Sequence, residues 1–124
     1  MKKSTIFLIS LLFALFVNSC KYDFILPEEV PIITTPPTFA AQVAPIFTTE
    51  NCIACHYSGG QSPDLTAANA YAQIVPNLVN LTTPESSLIY ALPAPTTSTH
   101  TWKKYKASEA AIVLAWIKDG AKNN

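Results

Sequence analysis

The chain has 124 residues, enough for one domain, of which 49% are hydrophobic and only 13% charged. Eight lysines balance eight acidic residues and there is no arginine, so the basic excess of a nucleic-acid-binding domain is missing. The lysines cluster only at Lys103, Lys104 and Lys106.

Residues 1–19 read as an export signal. Lys2 and Lys3 form a basic start, and the stretch from Ile6 to Val17 is apolar except for Ser10. It is too short for a permanent membrane span. Val17-Asn18-Ser19-Cys20 follows where the apolar region of a signal peptide should end. This run resembles a bacterial lipoprotein signal, with Asn18 a loose fit to its pattern of small residues. The resemblance implies cleavage before Cys20 and acylation of that residue. Several acyl chains on one cysteine anchor a protein stably, whereas one chain is marginal. The alternative is an ordinary signal peptide with an incidental cysteine. Cleavage would remove Lys2 and Lys3 and leave six lysines against eight acids.

Residues 20–37 then form an acylated N-terminus and a tether, broken by Pro27, Pro31, Pro36 and Pro37. In polyproline-like geometry, at roughly 3.1 Å per residue, residues 21–37 reach about 50 Å. Phe24, Ile25, Leu26, Val30, Ile32 and Ile33 are more apolar than a free linker requires, and predict some packing on the domain.

Residues 38–124 make the globular part. It is rich in alanine and poor in strand signals. Thr38 predicts the cap of a first helix whose apolar positions are Phe39, Val43, Ile46 and Phe47. Pro45 predicts a kink, or a split after Ala44.

Cys52-Ile53-Ala54-Cys55-His56 comes next and is the most informative stretch of the chain. Two thiols flank two spacers, and a histidine follows at once. This is the attachment pattern for c-type haem. Each sulfur adds to one haem vinyl group, so the thiols need a fixed separation. The next side chain must bring its imidazole under the iron, and one short helical turn does both. A thioredoxin-like pair normally follows a strand in a βαβ unit, which is not evident here. A zinc site needs further ligands, and the chain offers only Cys20 and His100. With Cys20 assigned to lipid and Cys52 and Cys55 to haem, no thiol remains for a disulfide.

The run from Ser58 to Pro63 reads as a loop. Asp64 or Thr66 predicts the cap of a second helix through Ala67, Ala70, Tyr71 and Ile74, ending before Pro76. Thr83, with Pro84 in the first helical position, opens a third helix to about Leu92, its apolar side being Leu88, Ile89 and Leu92. A proline-bearing polar loop from Pro93 to Thr101 carries His100. The final helix is the clearest: Ser108 as cap, Glu109 in the first turn, an apolar stripe of Ile112, Val113, Trp116 and Ile117, and Gly120 as its stop. The stripe predicts packing on the Phe39, Val43, Phe47 face. A domain this small is marginal on its own core. A covalent haem would supply an apolar plate to pack on, so the haem-free chain should be poorly folded.

With its haem motif between an N-terminal helix and a C-terminal amphipathic helix ending Ala115-Trp116-Ile117-Lys118-Asp119-Gly120-Ala121, the chain resembles small class I c-type cytochromes. The likeness runs from about Phe39 to Ala121. It implies an all-α, cytochrome c-like fold of three to five helices around one covalent haem, and electron carriage. It implies that Cys52 and Cys55 form the thioethers and that His56 is the proximal iron ligand. It also implies a proline carbonyl accepting the proximal imidazole N–H, for which Pro63 is the candidate; an ordinary turn proline is the alternative.

The chain departs from that family at the distal ligand, which is usually methionine. Met1 is the sole methionine and leaves with the signal. His100, 44 residues beyond His56, lies broadly where the family places its methionine. The alternatives are an open iron, a lysine among Lys103, Lys104 and Lys106, or Tyr105 as phenolate. Loss of methionine should lower the potential. Trp102, Lys103 and Lys104 are candidates to meet the haem propionates, or form a solvated face or a docking patch.

These features predict an exported, membrane-anchored electron carrier with one haem c, two histidine ligands, redox proteins as partners and no catalytic group of its own. Its place would be the periplasmic side of a bacterial membrane, the outer one in the first instance, or the cell surface. The competing readings are a five-coordinate haem sensor or ligand-binding domain, with some scope for haem-based catalysis, and a haem-bearing accessory subunit of a larger redox complex.

Overall fold

The computed structural model describes residues 29–124. The segment read as an export signal, Cys20 and the first part of the expected tether lie outside the described residues. Every regular element among the described residues is helical and none is a strand. None of the helices is long and apolar enough to cross a membrane. A π-helical turn, Phe39–Val43, leads into α1 at Ala44–Thr49; α2 is Ala70–Leu78, α3 is Leu88–Ala91 and α4 is Ala107–Lys118. Short 3₁₀ turns stand at Cys52–Ala54 and Pro84–Ser86.

The first helix divides, as Pro45 demands, but before Ala44 and not after it. Proline lacks the N–H that an interior helical position donates, so it is tolerated in the first turn. The chain meets this by restarting: Pro45 falls in the opening turn of α1, and the preceding turn is the wider π form. Thr38 stands at the N-cap position, but its hydroxyl makes no capping bond. The chain's end does that work. Asn124 accepts the Ala40 N–H at 2.9 Å through its carbonyl and the Phe39 N–H at 3.0 Å through its side chain.

Four further expectations are corrected. Helix α2 starts at Ala70, later than either predicted cap, because the Asp64 carboxylate is spent on a local turn. It accepts from the Thr66 N–H at 2.9 Å, the Thr66 hydroxyl at 2.6 Å and the Asn69 amide at 2.7 Å. The helix then runs through Pro76 instead of stopping before it. Pro76 is exposed in the last turn, where the carbonyl it leaves unbonded is open to water. The third predicted helix is two pieces, the Pro84–Ser86 turn and α3. Ser87 breaks it: its buried hydroxyl accepts the Asn80 N–H at 2.9 Å and folds that loop onto the junction. Helix α4 begins at Ala107, one residue before the predicted cap. Glu109 accepts the Lys106 N–H at 2.9 Å and satisfies that end in place of Ser108.

The end of α4 is as expected. Gly120 turns the chain with φ +96°, and the Ala121 N–H then bonds the Trp116 carbonyl at 3.0 Å. Val113, Trp116 and Ile117 are buried and Ile112 packs at the core's edge. The partner face is the predicted one. The Phe39 ring lies 5.3 Å from Trp116 and 5.2 Å, edge-on, from Tyr71, with Val43 and Phe47 fully buried beside them. Burial of this aromatic set is the main apolar stabilisation of the fold. Along the tether, Val30 and Ile32 stand exposed, Ile33 is half-buried and Pro37 is buried, so among the described residues the expected packing is confined to Ile33 and Pro37.

Trp116 is 1% exposed and its indole N–H donates to the Lys122 carbonyl at 2.9 Å. Trp116→Ala is therefore expected to cost about 3–5 kcal/mol, whereas Ile32→Ala, at a residue 90% exposed, should stay within about 0.5 kcal/mol. Urea unfolding of the two variants checks the contrast. Equal losses would place the core elsewhere.

Candidate functional site

The motif is positioned by the end of α1. Asn51 takes a left-handed conformation, φ 55°, which asparagine tolerates better than most residues. This turns the chain directly into Cys52. The Cys55 and His56 N–H groups both donate to the Cys52 carbonyl, at 3.1 and 3.0 Å. One helical turn thus sets both thiols and the imidazole, the local geometry that the spacing requires. The sulfurs are unbridged; Cys52 is half-buried and Cys55 exposed.

The loop after the motif folds back onto it. The Gln61 N–H bonds the Cys55 carbonyl at 2.9 Å and the Leu65 N–H bonds the His56 carbonyl at 2.8 Å. Gly60 is required here. A Cβ at that position would lie 2.6 Å from the Cys55 carbonyl oxygen and 2.8 Å from the Tyr57 ring. The fold brings the Pro63 carbonyl to His56 Nδ1 at 3.0 Å, and the Gln61 carbonyl to the same atom at 3.1 Å. Both partners are acceptors, so Nδ1 carries the proton and donates. Nε2 is then left with its lone pair for a metal.

His100 is held in the same way. Its Nδ1 donates to the Lys103 carbonyl, again leaving Nε2 free. The two imidazoles face one region, with ring centroids 6.3 Å apart and planes 19° from parallel. An imidazole nitrogen binds a metal at about 2.0 Å and lies about 1.2 Å from its own ring centre. Two imidazoles on opposite faces of one metal therefore have centroids about 6.4 Å apart. The observed separation fits a shared axial pair.

The surroundings fit a large apolar cofactor. A cavity of about 190 Å³ has His56, His100 and Cys52 in its wall with Phe47, Leu65, Leu78, Ile89 and Tyr105. Leu88 and Leu92 also line it and are 47% and 43% exposed, so with Ile89 all three residues of the predicted apolar side of the third helix face this cavity. A second cavity of about 240 Å³ shares the two histidines and Cys52, adds Cys55, and is rimmed by Trp102 and Lys103. A haem bound through both cysteines with its iron between the imidazoles would be met by these walls. Among the described residues, no group of three or more His, Cys, Asp or Glu converges as a metal site, so the donor set does not suit structural zinc.

Electrostatics narrow the alternatives. Burial pushes the Cys52 thiol up, and the Glu50 and Glu109 charges add to this. A redox-active pair needs a lowered thiol. The two carboxylates share Lys106: its ammonium holds Glu50 down, while burial pushes Glu109 up. Burial also pushes the Tyr105 phenol far up, and its hydroxyl donates to the Ile89 carbonyl at 2.9 Å. Tyr105 lines the cavity as a neutral phenol, which removes the phenolate as a ligand. Lys104 is engaged by the Pro95 and Thr97 carbonyls and Lys106 by Glu50. Of the lysines weighed as ligands, only Lys103 lines the site. Sequence reasoning missed the Lys103 carbonyl, the Gln61 carbonyl and Gly60. The first two are backbone acceptors with no side-chain signature, and a glycine in a loop is ordinarily just a turn residue.

Because the clash at Gly60 is with backbone, the neighbour cannot swing away. Gly60→Ala is expected to cost about 1–3 kcal/mol through overpacking, read from urea unfolding of the assembled protein. Unchanged stability would mean that the Cys55 carbonyl gives way freely.

Comparison with known proteins adds nothing to this geometry: no family model matches the chain, and neither does any curated protein or solved structure.

Proposed function

We propose that this chain is an exported, lipid-anchored c-type cytochrome domain that carries single electrons, with His56 and His100 as the two axial ligands of one haem. The observation that carries the reading is the histidine pair: two imidazoles at a metal-bridging separation, each with Nδ1 tied to a carbonyl. The attachment motif supplies the cofactor's identity, since neither histidine alone distinguishes haem from another metal group. The all-helical fold is compatible with a cytochrome c-like domain.

Haem c supplies the one-electron chemistry through its iron; the protein supplies attachment, orientation and a dry surround. Cys52 and Cys55 would hold the ring edge. His56 and His100 would hold the iron from both sides, and their carbonyl partners would fix ring direction and raise ligand basicity. Phe47, Leu65, Leu78 and Ile89 exclude water from the cavity wall. With both histidines on the iron, no position would be left for a substrate, which favours a carrier over a sensor or a catalyst. Replacement of the family's methionine by histidine lowers the expected potential. Cys20 and the tether would hold the domain at a membrane surface, within reach of redox proteins as donor and acceptor.

The absorption spectrum of the assembled protein tests this. Wild type should be six-coordinate and low-spin in both oxidation states, and His100→Ala should turn high-spin and bind carbon monoxide when reduced. A wild type that is high-spin from the outset would favour the ligand-binding reading; a low-spin His100→Ala would point to Lys103.

The haem-free chain would lack the plate that the half-exposed Leu88 and Leu92 are proposed to pack on. It is expected to lose near-ultraviolet circular dichroism and most slow amide exchange relative to the assembled protein. Equal protection in the two forms would show that the core stands without haem.

A further inference from the structure

The loop that presents His100 is tied at both ends. At its neck the Tyr105 N–H donates to the Pro93 carbonyl at 2.9 Å. Just beyond, the Tyr105 hydroxyl is anchored on the Ile89 carbonyl inside the core. Residues 93–105 therefore leave the domain and return to it at one point. The limb returning to the core holds His100, because the imidazole donates to the Lys103 carbonyl. The outgoing limb is bent by the Thr97 N–H bonding the Ala94 carbonyl at 3.1 Å. One side chain joins the two limbs. The half-buried Lys104 ammonium reaches the Thr97 carbonyl and, at 3.4 Å, the Pro95 carbonyl.

We propose that Lys104 is a positioning residue for His100: it staples the loop in the form that keeps the imidazole on the iron. The inference rests on the two-histidine reading above. A charged donor bonds a carbonyl more strongly than a neutral one, and a cross-link inside a loop removes conformers in which the loop is open. Lys104 thus sets the population of the loop with His100 off the iron. It does so without touching haem or either histidine side chain, and it is not available to the propionates in this arrangement.

The open population is measurable because an external ligand reaches the iron only when His100 leaves. The apparent affinity of that ligand scales with the open fraction. Removing a bond from a charged donor should raise that fraction, so reduced Lys104→Met is expected to bind carbon monoxide about tenfold more tightly than wild type. Lys104→Arg, which keeps a cationic donor, should return the affinity to near the wild-type value. His100→Ala gives the fully open limit. The measurement is an optical titration of the four assembled, reduced proteins with carbon monoxide, beside their urea midpoints. The expected result is the tenfold change in Lys104→Met, a midpoint lowered by no more than that tenfold accounts for, about 1.4 kcal/mol, and rescue of both in Lys104→Arg. Wild-type affinity in Lys104→Met overturns the proposal. So does a loss of stability well beyond that amount alongside the tighter binding, which would mean general loosening, and so does failure of arginine to restore. If wild type already binds as tightly as His100→Ala, the two-histidine reading itself fails and the positioning role falls with it.

Discussion

Both imidazoles are held from behind by backbone carbonyls, and the rest of the site depends on that constraint. An imidazole free to rotate, or protonated on the wrong nitrogen, presents no lone pair in a fixed direction. Here His56 Nδ1 is committed to the carbonyls of Gln61 and Pro63, and His100 Nδ1 to that of Lys103. The three carbonyls belong to two loops that are far apart in sequence. The first is folded against the motif by bonds to Cys55 and His56. The second is closed at Tyr105 and stapled by Lys104. The helices supply neither imidazole directly; they supply the fixed points from which the loops hang.

That division explains where the chain spends its apolar residues. Phe39, Val43, Trp116 and Ile117 close one end of the domain around the return of the chain at Asn124. The opposite side is left open: Leu88 and Leu92 are half-exposed along a cavity whose remaining walls are Phe47, Leu65 and Ile89. Ile89 belongs to both, being buried and also supplying the carbonyl that anchors Tyr105. A domain this small is marginal on its own core, so a cofactor packed against these walls would add to its stability. Attachment and folding are then two aspects of one requirement, since the thiols that would bind the ring sit on the turn that ends the packed half.

The parts legible in the sequence were those whose cause is local. The turn from Cys52 to His56 follows from five consecutive residues. Helix α4 follows from its apolar spacing and Gly120. Its packing on Phe39 followed from two stripes of matching character. The misjudged parts each involve a remote or competing partner. Asp64 was read as a helix cap, but Thr66 and Asn69 claim its carboxylate first. Ser108 was read as a cap, but Glu109 reaches the same end. The third helix breaks at Ser87 because Asn80, seven residues earlier, bonds its hydroxyl. Pro76 was given more power to stop a helix than an exposed last turn allows. His100 could be singled out only by elimination, as the one histidine left once methionine was gone. Its proximity to His56 comes from the loop's closure, and nothing in the local sequence encodes that closure.

The same loop explains why Lys104 would be no rival to His100 for an iron. Lys104 is one residue from the carbonyl that holds His100, yet its ammonium points back along the loop into two carbonyls. To ligate iron it would have to lose its proton, abandon both acceptors and release the limb it fastens. Each step costs free energy, because the loop would lose the two bonds that join its limbs. His100 would need none of these changes, since its Nδ1–H is already satisfied by the Lys103 carbonyl. In this arrangement the lysine fastens the loop and the histidine is the group presented to the cavity. The lysine that lines the site, Lys103, contributes through its backbone. A substitution of its side chain would leave that carbonyl in place.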